Sequence, residues 1–245
     1  QTLHGGLKGL DMIVWDVDSI TENAIVLSVV CPDGHDGMPG NRKIVMTYTL
    51  TPDNEFEVDY VAETDKATHM NISHHSFFNL KGEGNGTIND HVLYINGSKT
   101  PPVNRVLIPS GEIVDVEGTP FDFREPKTIG QDIKADYEQL DAGNGYDHNF
   151  CINNYNKELR LAATVTAPNG VRLDCLTDLP GMQLYVGNFL EGKIGKNNTP
   201  MDFRCGFCLE TQYYPNCLNY KHFPSPVVRV GETYDSTTIY KFSHE

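Results

Sequence analysis

The chain has 245 residues, and its 33 Asp and Glu against 19 Lys and Arg give a formal charge of −14. A polyanion would be repelled at long range, which argues against nucleic acid or an anionic membrane surface as partner and leaves a neutral small molecule unaffected. The longest apolar run, residues 24–31, has eight residues where a membrane span needs about twenty, and six cysteines are too few for a disulfide scaffold in a chain long enough to bury a large core, so reduced thiols are expected.

In chain order, the opening QTLHGG has neither the basic start nor the apolar stretch of a signal peptide. Its LHGG sets one polar side chain, His4, beside glycines that let backbone approach a ligand closely. Runs rich in β-branched and aromatic residues follow at 12–17, 24–30, 43–50 and 55–61, with turn residues between them. The last alternates cleanly, Phe56, Val58 and Tyr60 on one face and Glu55, Glu57 and Asp59 on the other, as a half-buried antiparallel strand requires.

In NISHHSFFNL, residues 71–80, strand parity groups His74 with Ile72, Phe78 and Leu80, and leaves His75 on the more polar face. His75 is therefore the candidate for proton transfer, the alternative being a plain surface histidine. Further strands are expected at 91–95, 159–167, 183–189 and 237–243, and helix only at about 129–140. Asp147 in GNGYDHNF and Gln183 in PGMQLYVGNF each stand among turn residues as single hydrogen-bonding groups, whereas His148 reads as a satisfied structural residue.

CGFC, residues 205–208, invites a metal or dithiol reading with Cys217 and His222 downstream, but strand parity turns Cys205 and Cys208 to opposite faces and favours structural thiols. Glu210 follows in the strand-like FCLETQ, sharing a face with Cys208 and Gln212. A strand carboxylate in an apolar setting is costly unless hydrogen-bonded and, in a cleft, is a typical general base; the alternative is an exposed edge charge. With no repeat, low-complexity tract or linker, one all-β domain over residues 1–245 is expected.

Taken together and in this order, LHGG…KGLDMIVW, DGHDGMPGNRKIVMTYTL, NISHHSFFNL, NDHVLYI…LIPSGEI, GTPFDFREP, GYDHNF, PGMQLYVGNFLEG and FCLETQYYPN…NYKHFPSPVVRVGETYDSTTIYKFS closely resemble the aldose 1-epimerases, the galactose mutarotases. The resemblance implies a large antiparallel β-sandwich with a sugar-binding cleft and interconversion of the α and β anomers of free hexoses, with no cofactor or metal. It makes His75 the general acid and Glu210 the general base, facing one another across a space of pyranose size, and gives His4, Asp147 and Gln183 the sugar hydroxyls. The Asn that precedes the acid in the family pattern is His74 here.

Rival readings are a non-catalytic carbohydrate-binding protein and a hexose-phosphate epimerase of the same superfamily, the latter disfavoured because no basic cluster lies near the motifs. Family members carry a longer stretch before LHGG, including an arginine in an NR(I/V) motif that contacts the sugar, and Arg42 belongs to a different motif. The resemblance thus implies a chain truncated at its N-terminus, whose bared sheet edge is covered by a separate N-terminal fragment or by a second copy. The compartment is read as cytoplasmic, with a periplasmic or secreted setting left open.

Overall fold

Strand-forming runs dominate the folded chain as they dominate the sequence, and among the described residues helix is confined to one α-helical segment and short 3₁₀ turns. The computed structural model describes residues 2–244, with the side chain of Asn197 outside that description. Two compact units emerge, Gln1–Ile72 with Pro226–Ile239 and Ser73–Ser225 with Tyr240–Glu245. Among the described residues no helix is long and apolar enough to cross a membrane.

In the first unit, β1 (Asp16–Ile20), β2 (Ala24–Cys31), β3 (Arg42–Leu50) and β4 (Glu55–Thr64) form an antiparallel meander, each strand paired to the next. Cross-strand partners share a face, and the β3–β4 register sets Ile44 opposite Ala62, Met46 opposite Tyr60 and Tyr48 opposite Val58. These apolar rows alternate with polar ones, Thr47 opposite Asp59 and Thr49 opposite Glu57. The alternation read at 55–61 therefore sorts the two faces correctly. A strand was expected at 12–17, but Leu10–Met12 is a 3₁₀ turn and β1 starts only at Asp16. The Trp15 indole N–H donates to the Leu10 carbonyl at 3.0 Å, closing the chain on itself where a ladder would need it extended. A short strand, β5 (Thr68–His69), pairs with Val227–Val228.

The second unit contains β6 (Val92–Ile95), β7 (Gly97–Thr100), β8 (Val114–Asp115), β9 (Lys127–Thr128), helix α1 (Glu138–Gly143), β10 (Asp147–Ile152), β11 (Arg160–Thr166), β12 (Val171–Thr177), β13 (Gly181–Tyr185), the small hairpin β14 (Lys193–Ile194) and β15 (Pro200–Met201), and β16 (Cys208–Gln212). One antiparallel group runs β12-β11-β6-β9, and a five-stranded sheet runs β16-β13-β10-β7-β8. Phe121, Phe123, Tyr146 and Phe150 are fully buried, with Tyr146 edge-on to Phe121 and Phe123 at 5.3 and 5.1 Å between ring centres. The Tyr146 hydroxyl donates to the Pro120 carbonyl at 2.9 Å, so this aromatic core carries its one phenol satisfied.

The helix expected at 129–140 is displaced, since α1 begins only at Glu138 and has six residues. The amides of Ile129 and Gly130 donate instead to the carbonyls of His91 and Asn89. Ile129 and Ile133 are both buried; their four-residue spacing imitates a helical stripe, but packing of an irregular segment produces it.

Candidate active site

The five-stranded sheet sorts its polar residues by register. Asp147, Tyr185 and Cys208 align across β10, β13 and β16; Asn149, Gln183 and Glu210 form the next row, and Cys151, Gly181 and Gln212 the one after. These rows lie on one face, because partners in a ladder point the same way. The intervening rows, His148–Leu184–Leu209 and Phe150–Met182–Thr211, point to the other face and are buried. One side of the sheet is core, and the other holds almost every hydrogen-bonding side chain of the three strands.

Those side chains form a relay. Gln212 Nε2 donates to Asn149 Oδ1 and to Gln183 Oε1, both at 3.2 Å, and Gln183 Nε2 donates to Asp147 Oδ1 at 2.8 Å. The direction is determined by chemistry: with Gln183 Oε1 taken by Gln212, its amide nitrogen is the end that faces Asp147. Close approach at one end of the relay depends on Gly181, where an added Cβ would stand 2.6 Å from Asn149 Oδ1 and 2.9 Å from the Tyr214 ring.

His75 reaches this face from outside the ladder. Residues 71–77 run without strand pairing, and Phe78 then makes a two-bond bridge to Phe207, with N–H to O distances of 2.8 and 2.9 Å in the two directions. The bridge lays the segment against the β16 edge and sets His75 Nδ1 3.4 Å from Cys208 Sγ and His75 Nε2 3.5 Å from Glu210 Oε1. The side chain of His75 keeps 34% of its exposure and that of Glu210 12%, so the pair is reached from the histidine side. His74 takes the inward direction, its ring 5.8 Å from Tyr240, and burial followed by the charge of His75 lowers its basicity. Parity thus separates the two histidines even though no ladder enforces it.

Burial, and secondarily the charge of Asp147, pushes the Glu210 carboxyl up to about 8. A protonated His75 at 3.5 Å would pull it the other way. The Cys208 thiol is held well above its ordinary range, chiefly by burial and then by Glu210 and Asp147. The acid and base were expected to stand a pyranose apart, but they are in contact. A buried carboxyl and an imidazole within reach satisfy one another, which costs less than leaving either unpartnered.

Asp147 and Gln183 lie on the paired strands β10 and β13 and are hydrogen-bonded to one another. His4 belongs to the first unit, in an exposed turn with φ 52°. His148 is buried edge-on to Phe121 at 4.7 Å and lowered to about 3 by burial, a structural setting, but it is not the fully satisfied residue expected: Nδ1 accepts from the Asp147 amide while Nε2 is buried without a hydrogen-bond partner among the described residues. Cys205 and Cys208 belong to no common ligand group among the described residues; Cys208 is grouped with His75 and Glu210 instead.

The motif reading missed an aromatic wall beside the pair. Phe77 lies 5.1 Å from His75 and 5.9 Å from Tyr185, and Tyr185 stacks on Phe189 at 6.3 Å and 14°. Phe77 and Phe189 remain 42% and 56% exposed. The signal was present: Phe77 has the parity of His75, and Tyr185 that of Gln183. Such a wall suits the apolar C–H face of a ligand whose hydroxyls meet the polar relay.

A family model described as aldose 1-epimerase matches residues 1–241. Galactose mutarotase from Bos taurus is 42% identical over 245 residues, which are 99% of this chain and 69% of that protein. Among solved structures, an aldose epimerase homologue from C. elegans gives a TM-score of 0.89 at 26% identity, covering 99% of this chain and 72% of that one. Galactose 1-epimerase from Lactobacillus acidophilus gives 0.85 at 31% identity, with 99% and 70% covered.

Proposed function

Because the chain belongs to the aldose 1-epimerase family, we propose that it interconverts the α and β anomers of a free hexose such as galactose or glucose, with Glu210 as base and His75 as acid. The observation that carries the assignment of roles is the contact between a nearly buried carboxyl and a half-open imidazole on the polar face of the sheet. In the reacting form Glu210 is a carboxylate and His75 an imidazolium. Glu210 removes the proton of the C1 hydroxyl, the C1–O5 bond breaks as C1 becomes an aldehyde carbon, and His75 delivers its proton to O5. Rotation about C1–C2 presents the other face of the aldehyde. The hydroxyl at C5 then attacks, returning its proton to His75 while Glu210 protonates the new C1 hydroxyl, and both groups regain their starting states.

The short separation agrees with this chemistry, because O1 and O5 hang on the same carbon and one acid and one base must converge there. Asp147 supplies an acceptor and Gln183 a donor and an acceptor for ring hydroxyls, held in orientation before substrate arrives by the relay from Gln212. The assignment of His4 to a further hydroxyl rests on its LHGG motif. Polarimetry on freshly dissolved α-D-galactose and α-D-glucose tests the reading directly. The expected result is an approach to rotational equilibrium far faster than in buffer and proportional to protein concentration. Sugar binding by calorimetry with no acceleration over buffer would replace it with a non-catalytic carbohydrate-binding protein.

A further inference from the structure

His75, Cys208 and Glu210 each present one donor atom such that all three lie within 4.8 Å of one another. We propose that this triad is also a binding site for a soft divalent cation of the zinc type, and that the ion, by occupying the acid and the base, holds the protein in an inactive state. The inhibitory half rests on the function proposed above, while the binding half stands on geometry alone.

The donor set is nitrogen, sulfur and carboxylate oxygen, the combination zinc takes in proteins. With metal-ligand bonds of about 2.3 Å to sulfur and about 2.0–2.2 Å to nitrogen and oxygen, tetrahedral coordination places neighbouring donors about 3.3–3.6 Å apart. The contacts here are 3.4 Å from Cys208 Sγ to His75 Nδ1 and 3.5 Å from His75 Nε2 to Glu210 Oε1. Since they use the two different ring nitrogens, an ion takes one of them and a side-chain rotation closes the triangle. The exposed side of His75 gives the ion its entry and leaves a fourth position for water. Binding replaces the thiol proton: Cys208 S–H becomes a metal thiolate, and one proton leaves to solvent. No redox change is involved.

The reaction itself has no use for such an ion. A metal bound to His75 and Glu210 removes the proton-accepting lone pair of each, so metal occupancy and turnover exclude one another. Cys208, fully buried on a strand, is the member that makes the site soft; serine there keeps the volume and can still hydrogen-bond His75.

The test uses Co²⁺ as a spectroscopic probe and Zn²⁺ as the inhibitor, on the full 245-residue chain. Titrating Co²⁺ should produce a thiolate-to-cobalt charge-transfer band in the near ultraviolet that saturates at one ion per chain. Cys208→Ser should lose the band and weaken binding by at least about tenfold, the lower end of what losing even a supporting residue costs a metal site. Cys205→Ser should keep it, and circular dichroism establishes that each variant is folded. Zn²⁺ should slow mutarotation in proportion to occupancy, with EDTA restoring it. Absence of the band, or its persistence in folded Cys208→Ser, overturns the site. Saturating Zn²⁺ without loss of rate overturns the inhibition. If the chain shows no mutarotation but the band forms and depends on Cys208, the metal site stands and the proposed function alone falls.

Discussion

The meander β2–β3–β4 and the strands β10–β13–β16 obey the same pairing rules and differ in what their second face does. In the meander, apolar rows such as Met46–Tyr60 alternate with rows such as Thr49–Glu57 that hold no cluster of reacting groups. In the site strands the alternate rows carry Asp147, Asn149, Gln183, Glu210 and Gln212, half-buried except for Asn149, which is buried, on a face where an ordinary half-exposed sheet would carry solvated side chains. Desolvation of that second face turns a common carboxylate into one displaced to about 8. Site chemistry here is a matter of burial more than of unusual residues.

The comparison breaks most sharply if the carboxyl on the site face is ordinary. Glu210→Gln should leave the fold intact and lower the mutarotation rate by about two to four orders of magnitude, with His75→Asn similar, as loss of a positioned base or acid does. Polarimetry checks both. A near-normal rate in Glu210→Gln would remove the distinction between the two sheets.

Thermodynamics should show the same asymmetry. The folded state holds the Glu210 proton up to about 8, whereas the ordinary carboxyl value is 4.5. Between these values the native chain binds a proton the unfolded chain has lost, so the contribution is complete below the lower value and disappears as pH rises through the upper one. Wild-type stability should therefore fall across that window by an amount on the order of a few kcal/mol, less whatever His75 returns as an ion pair. Urea unfolding of wild type and Glu210→Gln at several pH values tests this, with the slope flattened in the variant.

A third perturbation probes close approach. Gly181→Ala would push a methyl group to 2.6 Å from Asn149 Oδ1 and against Tyr214, and should destabilise by about 1–3 kcal/mol, the range for overpacking. It should also raise KM more than it lowers kcat, since it disturbs the relay and not the proposed acid-base pair; steady-state kinetics separates the two.

The two regions were also unequally legible in the sequence. The meander was readable because its polar and apolar residues alternate, and Glu55 to Val61 sorted correctly. In β16, parity alone grouped Cys208, Glu210 and Gln212, since strand geometry is local. Their meeting with His75 was invisible to local reasoning: it depends on the Phe78–Phe207 bridge, which joins segments far apart in the chain. The resemblance to a family supplied the pairing, but neither the contact distance nor the sulfur beside it. The strand expected at 12–17 and the helix expected at 129–140 failed for a different reason, because the Trp15 indole and the amides of Ile129 and Gly130 found partners that regular structure would have denied them.

The smallest effect belongs to the meander and sharpens the contrast from its side. Glu55, Glu57 and Asp59 lie along one face of β4, and desolvation, with the charges of Asp59 and Glu55, raises the Glu57 carboxyl above its ordinary value. This is the same direction as at Glu210, in a half-buried position. The sign follows as before: the proton is held more tightly when folded, so the ionised side chain opposes folding once pH rises past its folded value. Glu57→Gln should therefore stabilise at neutral pH by only a few tenths of a kcal/mol, because solvent still reaches this half-buried side chain and screens its charge. The gain should vanish in acid, where wild type is already neutral, and shrink in 1 M salt, where the screening length falls to about 3 Å. Mutarotation should be unchanged, because no part of the proposed acid-base pair or relay is touched. A gain of a few kcal/mol, the size of the pH-dependent change expected from Glu210, would mean that burial is not what separates the two faces.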